Sequence, residues 1–201
     1  MEERMRNYFF WLSGKLNRRP TRVDIYEVCD IPMGKFLREG WLRFLAQTDN
    51  LCREEAGWLG TEAEEFLIFL EKTRMVKAYK IPIIAAFLSE DNLHSAASLT
   101  EIGFSMMSFY HSRAIHERDL RDKSNRDWRS WGETEFSQLA LKNPIRYLNK
   151  SPFFDYDEVG GIFYLTSNLN PFLTPKLASH VRDILEFRRR DFFRRRYRDV
   201  N

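Results

Sequence analysis

Hydrophobic residues recur at helical spacing along most of this chain. Over residues 3–18, Tyr8, Trp11, Leu12, Lys15 and Leu16 follow the i, i+3, i+4, i+7, i+8 pattern, and Phe9 and Phe10 widen the stripe. Arg18-Arg19-Pro20-Thr21 ends that helix, because proline cannot continue it, and Thr21 suits the N-cap of the next. The second helix is expected over 22–29, burying Val23, Ile25, Tyr26 and Val28. A tight turn at Asp30-Ile31-Pro32-Met33-Gly34 leads to a third, from about Met33 to Gln47. It carries Phe36, Leu37, Trp41, Phe44 and Leu45, and Gly40 marks a break in it. A short helix follows Thr61, with Glu64 at the capping-box position and Phe66, Leu67, Phe69 and Leu70 on its apolar face.

From Thr73 the pattern restarts. Lys77 to Leu88 reads as a helix apolar almost all round, with Pro82 tolerated near its first turn. Ser98 or Thr100 caps the next helix, where Leu99, Ile102, Met106, Phe109 and Tyr110 keep helical spacing. Residues 111–132 form a long polar stretch. A helix over 133–149 turns Phe136, Leu139, Ala140, Ile145 and Leu148 inward, and Pro144 kinks or restarts it. Phe153, Phe154 and Tyr156, then Ile162 to Leu165, alternate as two strands around Asp157-Glu158-Val159-Gly160-Gly161, a hairpin signal. Thr174-Pro175 starts a last helix, 175–198, with Leu177, Val181, Ile184, Leu185, Phe192 and Tyr197 on its inner side.

These elements predict a mainly α fold. A helical, helix-turn-helix-like unit spans 1–52, and an acidic linker or helix spans 53–72. A winged-helix-like unit with one β-hairpin and a long basic C-terminal helix spans 73–201. A helix running into a short aromatic hairpin is how a winged helix ends, and that shape alone names no function.

Composition narrows the picture a little. The chain has 201 residues, 17 of them Phe, and a formal net charge of +3. So small an excess argues for nucleic acid only through its distribution. Cys29 and Cys52 have no Cys or His at metal-ligand spacing and read as reduced thiols. No apolar run is long enough to span a membrane. The chain opens Met-Glu-Glu-Arg with no signal-peptide core, so it is expected in the cytoplasm.

The charges are segregated. Residues 49–71 hold seven acids against Arg53 alone. This segment repels phosphate, or it neutralises the basic C-terminus. Residues 111–132 hold six bases and four acids with Trp128 and Trp131. Bases interleaved with aromatics suit phosphates and stacked bases, whereas a salt-bridged loop pinned by its tryptophans fits equally. From Arg182 to Arg198 the last helix carries eight arginines, which pair with phosphates in a bidentate way. The candidate nucleic-acid-binding set is Lys35, Arg38, Arg43, Arg126, Arg129, Arg188, Arg189, Arg190, Arg194, Arg195 and Arg196. The other reading of the last helix has its arginines meeting the acids of 49–71.

No catalytic residue is assigned. His116, Glu117 and Asp119 form the one tempting cluster, but a zincin needs a second His at i+4 and no Cys pair completes a zinc site. Glu71-Lys72 and Asp122-Lys123 are adjacent pairs that do not converge on a metal as a nuclease needs. Neither a metal nor a cofactor is expected.

Two resemblances add to this. Arg18-Arg19-Pro20-Thr21, Ile31-Pro32, Phe36-Leu37-Arg38-Glu39-Gly40-Trp41-Leu42-Arg43-Phe44-Leu45 and Asn50-Leu51 resemble, over residues 18–51, the small helical repeat associated with homing endonucleases and many bacterial helicases. Met33 and Gly34 stand where that repeat usually has hydroxyls. Residues 74–197 as a whole resemble a region C-terminal to the motor of bacterial DEAD/DEAH-box (superfamily 2) helicases, many of them of phage-defence type. The residues carrying this are Met75 to Pro82, Leu99 to Gly103, Phe109-Tyr110, His116 to Asn125, Trp128, Trp131, Lys142 to Ile145 and Phe153 to Glu158. The motor's Gly-x-x-x-x-Gly-Lys-[Ser/Thr] loop and Asp-Glu box are absent. The resemblance implies a non-catalytic, DNA-binding accessory to a helicase or nuclease partner in a helicase-type defence system. The alternative is a protein–protein adaptor that docks such a partner without touching nucleic acid.

Overall fold

A computed structural model of the chain describes residues 2–29, 33 and 38–197. It is mainly helical, with a small antiparallel sheet and a long C-terminal helix. The chain forms two compact units, residues 1–73 with 180–188, and residues 74–179 with 189–201. Residues 53–72 belong to the first of these. No helix among the described residues is long and apolar enough to cross a membrane.

The first unit contains α1 (Glu2–Leu16), α2 (Arg22–Val28), α3 (Trp41–Gln47), α4 (Arg53–Ala56) and α5 (Glu62–Lys72). Thr21 caps α2: its side chain accepts the Asp24 N–H, and Asp24 accepts the Thr21 N–H at 2.8 Å. Gly40 precedes α3 at φ +90°, where a Cβ would lie 2.7 Å from Ile68 Cγ1, so the expected break is found and needs glycine. The expected turn at 30–34 and the start of the third helix, with Lys35, Phe36 and Leu37, fall almost wholly outside the described residues.

The core of this unit gathers Met5, Phe9, Leu12, Ile25, Trp41, Phe44, Leu45 and Phe187. It corrects the expected face of α1. Met5, Phe9 and Leu12 point inward, while Phe10, Trp11 and Leu16 are exposed. Two apolar stripes lie side by side on this helix, and spacing alone does not choose between them. In α2 only Ile25 of the four expected residues is buried; Val28 is exposed. The other buried residue of α2 is Arg22, at 0% exposure.

Arg22 sits at the centre of a buried charge network. Its Nε and Nη2 donate to Glu71 Oε1 at 2.8 and 2.6 Å, and its Nη1 donates to Asp183 Oδ2 at 2.8 Å. Asp183 also accepts the Arg22 and Val23 N–H groups at 3.0 and 3.3 Å, supplying an anion to the first turn of α2. Glu71 further accepts the Trp41 N–H at 3.3 Å. Glu55, fully buried, takes two bonds from Arg19 at 2.6 and 2.5 Å, one from Cys52 N–H at 2.8 Å and one from His180 Nε2 at 2.8 Å. Glu64 holds Arg43 at 2.5 and 2.8 Å. The acidic stretch is therefore not simply a solvated face. Glu55, Glu64 and Glu71 are buried acceptors, and their partners are Arg19, Arg43 and Arg22.

The second unit contains α6 (Lys80–Ala85), β1 (Ala96–Ser98), α7 (Leu99–His111), α8 (Ala114–Glu117) and α9 (Glu133–Ala140). A wide π-helical turn, Leu141–Ile145, joins α9 to α10 (Arg146–Leu148), and β2 (Phe154–Asp157) and β3 (Ile162–Leu165) follow. The last helix, α11 (Pro175–Arg196), serves both units in turn along its length. Of its expected inner residues, Leu177, Val181, Ile184, Leu185 and Phe192 are buried, while Tyr197, just past its end, is only half-buried.

The sheet runs in the order β1-β3-β2, all antiparallel, with Phe163 opposite Ala97 on one side and Tyr156 on the other. The expected hairpin is present, and β1 is an addition to it. Ala96-Ala97-Ser98 has no β-branched or aromatic residue to announce a strand. Ser98 caps α7 with Glu101 completing the capping box. Gly103 lets α7 approach α9 closely, since a Cβ there would collide with the Glu133 carbonyl oxygen. The stretch 111–132 is not structureless. It holds α8 and three 3₁₀ turns, and Trp128 is buried, as the pinned-loop reading expects.

His180 gives the charge network a pH dependence. Its Nε2–H donates to Glu55, which leaves Nδ1, 3.4 Å from Arg22 Nη1, as an acceptor. A second ring proton would face that N–H, and burial already pushes the His180 pKa below 6.5. The unfolded chain takes up this proton near pH ~6.5 and the folded chain does so only lower, so acidification through that window favours unfolding. Wild-type stability is expected to fall relative to His180→Gln as pH drops from about 6.5 towards about 5, by up to ~1.4 kcal/mol per pH unit. Urea melts at several pH values measure this, and a difference that does not change with pH contradicts it.

Candidate functional site

The expected basic residues fall into three groups. Lys35 lies outside the described residues. Arg38, Arg43 and Arg188 belong to the first unit, and Arg126, Arg129, Arg189, Arg190, Arg194, Arg195 and Arg196 to the second.

In the first unit, Arg38 is exposed and its carbonyl oxygen accepts Lys72 Nζ at 2.6 Å. Arg43 is paired with Glu64. Arg188 donates to the carbonyl oxygens of Glu71 and Thr73, so it caps the C-terminal end of α5. Both Arg43 and Arg188 thus have partners within their own unit.

In the second unit, Arg126 and Arg129 are exposed, and the Arg129 guanidinium lies 4.5 Å from the centre of the Trp128 ring. Arg194, Arg195 and Arg196 are exposed at the end of α11. Arg195 pairs with Asp191 at 2.6 Å; Arg196 donates to Val76 O at 2.8 Å and lies over Phe192. Arg189 and Arg190 are half-buried, and Arg189 Nη1 comes within 3.5 Å of His116 Nε2. The exposed residues of the expected set in this unit therefore sit near Trp128 and on the last turn of α11.

A further basic group went unmarked in the sequence. Lys142, Arg146 and Lys150 are all exposed, as are Asn143, Tyr147 and Asn149 beside them. Between them Pro144, Ile145 and Leu148 are buried. The signal was present as bases four residues apart, but Pro144 divides them and hides the common face. Because Pro144 has no N–H, the helix continues past it through the wider turn rather than ending there.

The cluster at His116, Glu117 and Asp119 does not assemble into a reactive site. His116 is buried and stacked on Phe109, with ring centres 4.2 Å apart. Its Nδ1 lies 2.8 Å from Phe109 O and 3.2 Å from Ser112 Oγ. Asp119, at 0% exposure, accepts the Ala78 N–H through Oδ2 at 2.5 Å, and its Oδ1 has no hydrogen-bond partner. The Tyr110 hydroxyl, also fully buried, has none either.

Burial pushes the Asp119 carboxyl and the Tyr110 phenol up, and each negative charge would disfavour the other. Burial raises the Tyr79 phenol as well, to about 12. A carboxyl raised in this way is the type of group that moves protons in enzymes. Here both groups are sealed from solvent, so neither faces a substrate. Among the described residues no three His, Cys, Asp or Glu side chains are grouped to hold a metal ion.

Asp119 reads best as an acceptor for the chain around Ala78. Asp119→Ala leaves that N–H buried and unpaired, an expected loss of about 1–3 kcal/mol. Asp119→Asn keeps the acceptor and removes the buried charge, so its loss is expected to be smaller. Urea melts of both variants decide; an Asn variant as damaged as the Ala variant contradicts this role. No family model, curated protein or solved structure matches the chain.

Proposed function

We propose that the protein is a non-catalytic, DNA-binding accessory of a helicase-type anti-phage defence system, working beside a helicase or nuclease partner. The carrying observation is the exposed basic surface of the second unit, at Arg126, Arg129, Arg194, Arg195 and Arg196. Exposed arginines suit bidentate pairing with phosphates. What supports a winged-helix-like reading of this unit is a hairpin whose second strand lies between its first and β1, preceded by the helices α7 to α10. A helix-turn-helix-like reading of the first unit fits α2 and α3 with Arg38 exposed between them.

The second reading is a protein–protein adaptor. The hairpin favours it, because Asp155 and Asp157 on β2 and Glu158 in the turn are exposed and Val159 is 100% exposed. Such a tip is repelled by phosphate and suits a protein surface.

Fluorescence anisotropy with duplex DNA over a salt series separates the two. The DNA reading expects log affinity to fall linearly with log salt, with a slope of about −0.9 per phosphate neutralised. Arg194→Glu with Arg195→Glu is expected to weaken binding and flatten that slope. No binding at the lowest salt sinks the DNA reading and leaves the adaptor.

A further inference from the structure

We infer that the outer face of the 133–150 segment, built from Lys142, Arg146 and Lys150 with Asn143 and Tyr147, is the surface that lies against the sugar–phosphate backbone of duplex DNA. This rests on the DNA-binding reading above and assigns it a principal contact face. The expected arginines of the last helix then become secondary contacts.

Lys142 lies in the π-helical turn, Arg146 opens α10 and Lys150 follows two residues after its end, so the three bases succeed one another along one short path, each of them exposed. The buried residues between them, Pro144, Ile145 and Leu148, anchor the opposite side in the core. The charges are thus held on a packed support rather than on a loose loop, which fixes their register.

Their pairing state separates them from several of the expected bases. Arg43 has Glu64, Arg195 has Asp191, and Arg188 has the carbonyl oxygens of α5. Among the described residues, none of Lys142, Arg146 and Lys150 is paired with a carboxylate; Lys150 lies only over the Tyr147 ring, 5.4 Å from its centre. An exposed cation without a protein partner keeps its full attraction for phosphate and gives up no ion pair on binding.

The neighbouring side chains fit a nucleic-acid surface. Tyr147 is 58% exposed, a large aromatic ring beside two cations, and Asn143 offers both a donor and an acceptor. Glu135 is the exposed acid on the same helix, one turn or more before Lys142, and it is engaged with the Gly132 N–H at 2.9 Å. The exposed acids of the hairpin, Asp155, Asp157 and Glu158, disfavour phosphate there and leave the helix face as the side DNA approaches.

The test uses the full chain and a random-sequence duplex, read by fluorescence anisotropy across a salt series. Lys142→Glu with Arg146→Glu is expected to lose roughly tenfold or more in affinity near ~100 mM salt. Its slope should be shallower by about 1.8, from ~0.9 for each of two phosphate contacts. Lys142→Arg with Arg146→Lys keeps the charge and is expected to keep the slope. Thermal melts confirm that the variants fold. If the double reversal does not fold, Lys150→Glu, which lies beyond α10, takes its place with half the slope change.

If wild type binds DNA and the reversal changes neither affinity nor slope, this face is not the contact, although the DNA-binding reading stands. If wild type binds no DNA at low salt but binds an acidic protein through these bases, both the DNA reading and this inference are overturned.

Discussion

The Arg22 guanidinium is a permanent charge with no access to water, and the first unit is arranged to satisfy it. Arginine cannot shed its proton, so a buried one must find anions and acceptors within the fold. Glu71 and Asp183 supply the charge, and His180 offers its lone pair. His180 in turn donates its Nε2–H to Glu55, which is also held by Arg19. Residues far apart in sequence are joined by directional bonds that no apolar contact would specify. The arrangement favours one pairing of segments more than it favours stability, because a hydrophobic replacement of matched volume is often as stable as a buried pair.

This requirement divides the C-terminal helix. Its residues from His180 to Arg188 are committed to the first unit, through His180, Asp183, Phe187 and Arg188. What looks in sequence like one arginine-rich stripe is therefore two sets with different roles. Arg188 is spent on carbonyl oxygens, whereas Arg194, Arg195 and Arg196 remain at the surface. The exposed bases Lys142, Arg146 and Lys150 belong to the second unit, and among the described residues none of them is paired with a carboxylate.

Much of the secondary structure was legible, because caps are local. Thr21, Thr61, Ser98 and Thr174 each satisfy backbone N–H groups within a few residues, so their meaning survives without tertiary context. The hairpin and the inner face of α11 were legible for the same reason. What failed depended on distant partners. Phe9 and Trp11 are equally apolar, and only the position of Trp41 and Phe44 decides that Phe9 turns inward. Arg22 looks like a surface residue until Glu71 and Asp183 arrive beside it, and the same is true of Glu55 and Glu64. Strand β1 exists only because β3 offers an edge. Of the candidate site, the charge runs were visible, but which charges are consumed by the fold was not.

The claim that Arg22 and Glu71 act as one unit is tested most directly by a double-mutant cycle with Arg22→Met and Glu71→Gln, read by urea unfolding. Each single change leaves a buried charge short of its counter-charge and is expected to cost about 3–5 kcal/mol. The double variant is expected to fall short of the sum by about 1–3 kcal/mol, because Glu71→Gln removes the very charge that Arg22→Met leaves without its counter-ion. Additive losses would contradict the account and reduce the network to independent surface-like contacts.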